Sequence, residues 1–139
     1  MQYTSAARTP SYPEARCGFY YDDHWISPYL RADFVLNAGR HFLEFEIYVP
    51  QFDDFDDCSL QVRMGLRPIF ESEPMAPGHR QRHSIELPTS GDAGVVSIVL
   101  RSSVRWRAPD PDRRLLGLVL PTLHCITEGC DMLGIPSAA

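Results

Sequence analysis

The chain has 139 residues, a formal net charge of −5 and a pI near 5.4. That length suits one ordinary domain, and the acidity argues against nucleic acid as the partner, because proteins that grip phosphate backbones carry a basic footprint. All 13 of its lysine-or-arginine positions are arginine, each a rigid bidentate fork, a bias that codon usage explains without any functional meaning.

In chain order, residues 1–15 are polar and proline-containing and are expected to be loosely ordered. No apolar core of about seven residues marks a signal peptide there, and no later run approaches the ~20 apolar residues of a spanning helix. The expectation is a cytoplasmic protein without membrane insertion. In that compartment the four cysteines, Cys17, Cys58, Cys125 and Cys130, stay reduced and pack as small hydrophobes, since their spacings form no zinc framework.

The stretch YYDDHWISP, residues 20–28, then crowds aromatic rings, carboxylates and an imidazole into one short segment. Tyr20, Tyr21, Trp25 and Tyr29, with Trp106 from further along, are candidates for a sugar platform, because aromatic faces stack on the C–H faces of pyranose rings. Asp22, Asp23 and His24 would fix orientation by hydrogen bonds. The competing assignment makes Trp25 and Trp106 caps on the ends of a core. The ring of Trp25 is therefore assigned to packing, and Tyr21, Asp22, Asp23 and His24 to solvent.

From residue 30 onward apolar residues alternate, with turn residues about every ten positions, which is a β pattern. After RADFVLN, the run HFLEFEIYVP puts Leu43, Phe45, Ile47 and Val49 on one face and Phe42, Glu44, Glu46 and Tyr48 on the other. QFDDFDDC follows, with Asp53, Asp54, Asp56 and Asp57. Carboxylates so close repel one another, and a calcium ion is the one cofactor they suggest, yet the run lacks the D-x-D-x-D-G spacing and reads as a solvated loop with no metal. CSLQVRMGL opposes Leu60, Val62, Met64 and Leu66 to Ser59, Gln61 and Arg63, RPIFES follows, and HSIELP directs His83, Ile85 and Leu87 inward.

GVVSIVLRS and LLGLVLPTL are apolar on both faces and read as central strands, with VRWRAP between them. Pro121 lies inside such a run, so its strand is expected to bulge or to lie at an edge there. In DPDRRLLG, Asp112 and Arg114 share a face of an extended segment, where they can pair with each other or with a neighbouring strand. The count reaches about eight strands, and the fold class is all-β: an antiparallel two-sheet sandwich of jelly-roll or Greek-key type over residues 16–127, with a loose tail at 128–139. Its core should include Phe34, Leu36, Leu43, Phe45, Ile47, Leu60, Val62, Ile85, Val96, Ile98, Leu100, Leu118 and Leu120.

The order W-I-S-P (Trp25–Pro28), V-x-I-x-L-R-S-S (Val96–Ser103) and D-x-R-x-L-G (Asp112–Gly117) resembles the small β-sandwich domains attached to bacterial glycosyltransferases of surface-polysaccharide assembly. The likeness covers roughly residues 18–127. It implies a non-catalytic module similar to carbohydrate-binding modules, whose partner is a glycan or a polysaccharide-assembly protein, and it implies that Asp112 and Arg114, with Trp25, form a structural clasp at the start of the last strand. Two departures stand out: His24 occupies the place of the glycine of a D-G-W turn, and no transferase domain accompanies the module.

The expected glycan site is Tyr21, Asp22, Asp23 and His24, joined by Arg105 and Trp106 if the two loops meet at one end. No nucleophile elbow, H-E-x-x-H or glycine-rich phosphate loop is present, so an enzyme is not expected. The alternative is a protein-docking domain using the stripe Phe42, Glu44, Glu46 and Tyr48 or an edge strand. A groove lined by aromatics and carboxylates would favour the glycan, and a bare apolar patch the protein.

Overall fold

The computed structural model describes residues 8–20, 23–51 and 57–129. Among them lie eleven strands and no helix: β1 (Arg8–Ser11), β2 (Glu14–Phe19), β3 (Trp25–Leu36), β4 (Arg40–Tyr48), β5 (Leu60–Met64), β6 (Arg67–Glu71), β7 (Arg80–Glu86), β8 (Gly94–Ser102), β9 (Trp106–Arg107), β10 (Leu115–Leu116) and β11 (Leu118–Glu128). Every pairing between strands is antiparallel.

One layer has the order β2-β3-β8-β5-β6 and the other β1-β11-β4-β7. They share one corner, where Leu118 and Val119 pair with Ile26 and Trp25. A separate two-stranded piece, β9 with β10, lies beside that corner. The all-β two-sheet sandwich is therefore present, with β1 and β2 as strands beyond those the sequence marks and with the run LLGLVLPTL divided at Gly117 into β10 and the start of β11. β1 and the start of β2 fall within residues 1–15. Backbone pairing of Arg8–Ser11 with Cys125–Glu128 supplies an order that polar composition does not announce.

The alternation in β4 sets the core. Leu43, Phe45, Ile47 and Val49 are buried between the layers with Phe34, Leu36, Leu60, Val62, Ile98, Leu100, Leu118 and Leu120. Each side chain so buried contributes roughly 1.5–3 kcal/mol of transfer free energy. Ile85 and Val96, also expected there, are half-buried at its margin, and Ile26, Leu30, Met75 and Cys125 are among its further members. His83 enters from the edge strand β7, its ring 5.4 Å from Phe45 and 4.8 Å from Phe70. Cys17, Cys58 and Cys125 are free thiols, while Cys130 lies outside the described residues.

Local chemistry explains the irregularities. The register of β11 shifts between Val119 and Thr122, around Pro121, which has no N–H to give a ladder. β2 bulges at Gly18, where φ is +87° and an added Cβ would come 2.1 Å from the carbonyl oxygen of Tyr29. Leu66, read as the end of an inward face, is 92% exposed, because β5 stops at Met64 and the chain turns at Gly65. β8 is central, between β3 and β5, yet Val95 on its outer side is exposed.

Candidate functional site

The turn from β2 to β3 and the turn from β9 to β10 meet at one end of the sandwich. Arg114 donates from Nη1 and Nη2 to the two carboxylate oxygens of Asp23 at 3.1 and 2.7 Å, a bidentate grip across 91 positions of sequence. It also donates from Nε and Nη2 to Asp112 at 2.6 and 2.8 Å, and its guanidinium sits 4.8 Å from the centre of the Tyr20 ring. Hydrogen bonds from Arg114 hold both carboxyls below their usual range, and the two carboxylates together raise the Arg114 pKa further. Trp25 and Trp106 stack, with centroids 6.1 Å apart and planes 24° from parallel, and both pack against the core.

Tyr20 N–H donates to the carbonyl of Trp25 at 2.9 Å and closes the turn. Within it His24 takes φ +61°, the left-handed conformation a glycine would adopt at this position. Asp23, Trp25, Trp106 and Arg114 are thus engaged with one another. His24 and Arg105 are exposed beside them, and Tyr21 and Asp22 lie outside the described residues. Of the acidic loop only Asp57 is described, and it is exposed; Asp53, Asp54 and Asp56 lie outside. Among the described residues no group of three potential ligands stands close enough for a metal ion.

A second arrangement, on the outer face of β11-β4-β7, contains Glu44 and Glu46 of the stripe that the sequence offers as a docking face. Cross-strand register sets His124 opposite Glu44 and Glu44 opposite Ser84, with Thr122, Glu46 and Arg82 forming the next row. Tyr12, which follows β1, extends the first row. Its ring is 6.1 Å from that of His124 and is 74% exposed. Glu44, Arg82, Ser84, Thr122 and His124 line an open depression of about 360 Å³.

Glu44 is the hub of that surface. It accepts hydrogen bonds from Arg8 at 3.0 Å, Ser84 at 3.2 Å and His124 Nε2 at 3.2 Å. Burial alone would raise its carboxyl, but these donors more than offset the cost and hold it below the usual range. Glu46, buried alongside, is held ionised by Arg80 at 2.7 Å, with Arg82 at 3.7 Å. The remaining outward rings of β4 are covered, Phe42 by Arg40 and Tyr48 by Arg80, each guanidinium 5.2 Å from the ring centre. Glu44 is legible as an outward residue of β4. Tyr12, Ser84, Thr122 and His124 give no local signal, since only strand pairing collects them.

No protein-family model matches the chain, and no curated protein matches it. Among solved structures, dimeric latent PorU from Porphyromonas gingivalis matches with a TM-score of 0.49 and 11% identity over 89% of this chain, which spans 13% of that one. A carbohydrate-binding module of Cellvibrio mixtus lichenase 5A, solved with cellotriose, matches with a TM-score of 0.37 and 11% identity, covering 87% of this chain and 89% of that one. The C-terminal carbohydrate-binding module of LamC, a marine laminarinase of Zobellia galactanivorans, matches with a TM-score of 0.36 and 10% identity, covering 89% and 93%. These are loose likenesses; the fold rests on the strand pairing itself.

Proposed function

We propose that the domain is a non-catalytic glycan-binding module whose binding surface is the depression on the outer face of β11-β4-β7. The observation that carries this reading is the row Tyr12, His124, Glu44 and Ser84. It sets an exposed ring, outside the hollow's own lining, beside an imidazole, a carboxylate and a hydroxyl that line it. Tyr12 offers a face for the C–H side of a pyranose, and Glu44, His124 and Ser84 present acceptors and donors to its hydroxyls. Adjacent strands lie ~4.8 Å apart, so the polar part of the row spans ~10 Å, the length of one or two sugar rings. So open a surface gives weak binding, of roughly millimolar order.

The sandwich end is the competing location for the same ligand, favoured by the convergence of its two loops and by the exposure of His24 and Arg105. In this reading it is a clasp instead, because Trp25 and Trp106 stack on each other and pack against the core, which leaves no free ring face comparable to that of Tyr12. Docking of a protein on the β4 stripe loses ground because arginines cover Phe42 and Tyr48. A role beside bacterial polysaccharide-assembly machinery rests on the sequence resemblance. The test is a screen of immobilised neutral oligosaccharides, repeated with Tyr12→Ala. Binding lost in the variant at an unchanged melting temperature supports the surface, and undiminished binding refutes it.

A further inference from the structure

We infer that the opposite face of the sandwich carries a second site, which takes the carboxylate groups of an acidic glycan. The inference rests on the glycan-binding reading but not on the depression that serves it. On the outer side of β3-β8-β5, register sets Tyr29 beside Arg101 and Arg101 beside Gln61. One row further on, Arg31, Val99 and Arg63 align in the same way. Leu30, Ala32, Val62, Ile98 and Leu100, which alternate with them, are buried in the core, so these side chains face outward.

Tyr29, Gln61, Arg63, Leu66, Val99 and Arg101 line an open depression of about 210 Å³ that no carboxylate enters. Tyr29 is 43% exposed and supplies the stacking face. Arg31 has a partner in Asp33 at 3.5 Å, and on the other sheet Arg8, Arg40 and Arg80 are each paired with a glutamate. Arg63 and Arg101 have no acidic partner among the described residues, and the Nε of Arg63 is buried without an acceptor. The nearest acidic group along the row is Glu71, opposite Gln61 on β6; it shares with Arg101 the lining of a neighbouring depression of about 120 Å³ but forms no ion pair with it.

Arg63 and Arg101 stand on neighbouring strands two positions out of line, so their α-carbons are ~8 Å apart, within the span of one or two sugar residues. Two unneutralised forks at that spacing, beside an exposed ring, suit a uronate, whose carboxylate takes a guanidinium bidentately while its ring stacks. A nucleic acid fits less well, because the chain carries a net charge of −5 and this face offers two free arginines rather than a basic stripe.

The experiment titrates the whole chain calorimetrically with trigalacturonate, its methyl ester, a neutral gluco-oligosaccharide, a sulfated oligosaccharide and a short oligothymidylate. Trigalacturonate should bind at least tenfold more tightly than its ester. Arg63→Gln with Arg101→Gln should abolish that ratio, and Tyr12→Ala on the other face should preserve it. Arg101→Gln alone, at an exposed position, carries the test if the double variant does not fold, and should reduce the ratio severalfold. Equal binding of acid and ester, a ratio that survives the arginine changes, or preference for the sulfated probe or the oligothymidylate overturns the inference. Neutral binding that needs Tyr12, without any uronate preference, leaves the glycan reading standing and removes this site. Uronate binding through the arginines without any neutral binding supports this site and removes the other depression.

Discussion

Trp106→Ala tests whether the rings at the sandwich end hold the fold or wait for a ligand. Removing a fully buried tryptophan costs ~3–5 kcal/mol. Trp106 is half-buried, which cuts that to ~2–3 kcal/mol, and loss of its stack on Trp25 at 6.1 Å adds ~0.5–1.5 kcal/mol. The sum, about 3 kcal/mol, lowers the melting temperature of a domain this size by roughly 10 °C. Trp106→Phe keeps a stacking partner and should recover at least half of the loss. Differential scanning calorimetry of the three proteins reads both effects. A Trp106→Ala protein that melts within about 2 °C of the parent would refute the packing argument and hand the end back to ligand binding.

Three further outcomes are expected. Glu44→Gln should weaken neutral-glycan binding roughly ten- to a hundredfold, the ~1.5–3 kcal/mol of a hydrogen bond to a charged acceptor, and should also lower the melting temperature because Arg8, Ser84 and His124 lose their charged acceptor; calorimetric titration of the folded variant checks the binding, and undiminished affinity would contradict it. Burial lowers the His83 pKa from its ordinary 6.5, so the unfolded chain protonates first. That contribution to stability is complete above 6.5 and is lost as pH falls through 6.5 toward the lower folded value, in a window above the range where Glu44 and Glu46 titrate. Urea midpoints between pH 5 and 8 should therefore fall on the acid side, and His83→Phe should flatten the slope; an unchanged slope would contradict it. Gly18→Ala should leave little folded protein by circular dichroism, because its Cβ would meet the Tyr29 carbonyl oxygen at 2.1 Å where φ is +87°; a native spectrum would show the bulge to be dispensable.

The layers were legible because period-two alternation acts locally: Leu43, Phe45, Ile47 and Val49 face the core as their spacing requires. Pro121 could be placed at a bulge because its missing donor is a property of the residue itself. Leu66 misled because alternation carries no mark of where a strand stops, and Gly65 stops this one. The clasp was half legible. Asp112 and Arg114 are two positions apart, whereas the grip on Asp23 joins segments 91 residues apart. Tyr12, Glu44, Ser84 and His124 come from four segments of chain, so their row exists only once β1, β11, β4 and β7 have paired. The left-handed turn at His24 was signalled only by the glycine that the resembling domains carry there.

On the proposed function, the outer face of β11-β4-β7 binds sugar. A titration of the ¹⁵N-labelled chain with a neutral oligosaccharide, followed by amide chemical shifts, tests it most directly, since weak binding in fast exchange still maps a surface. Concentration-dependent shifts should cluster at Tyr12, Glu44, Ser84, Thr122 and His124, and Tyr12→Ala should suppress them. Shifts centred on His24, Arg105 and Trp106 would move the site to the sandwich end, and a spectrum unmoved at tens of millimolar sugar, well above the roughly millimolar affinity expected, would contradict the account.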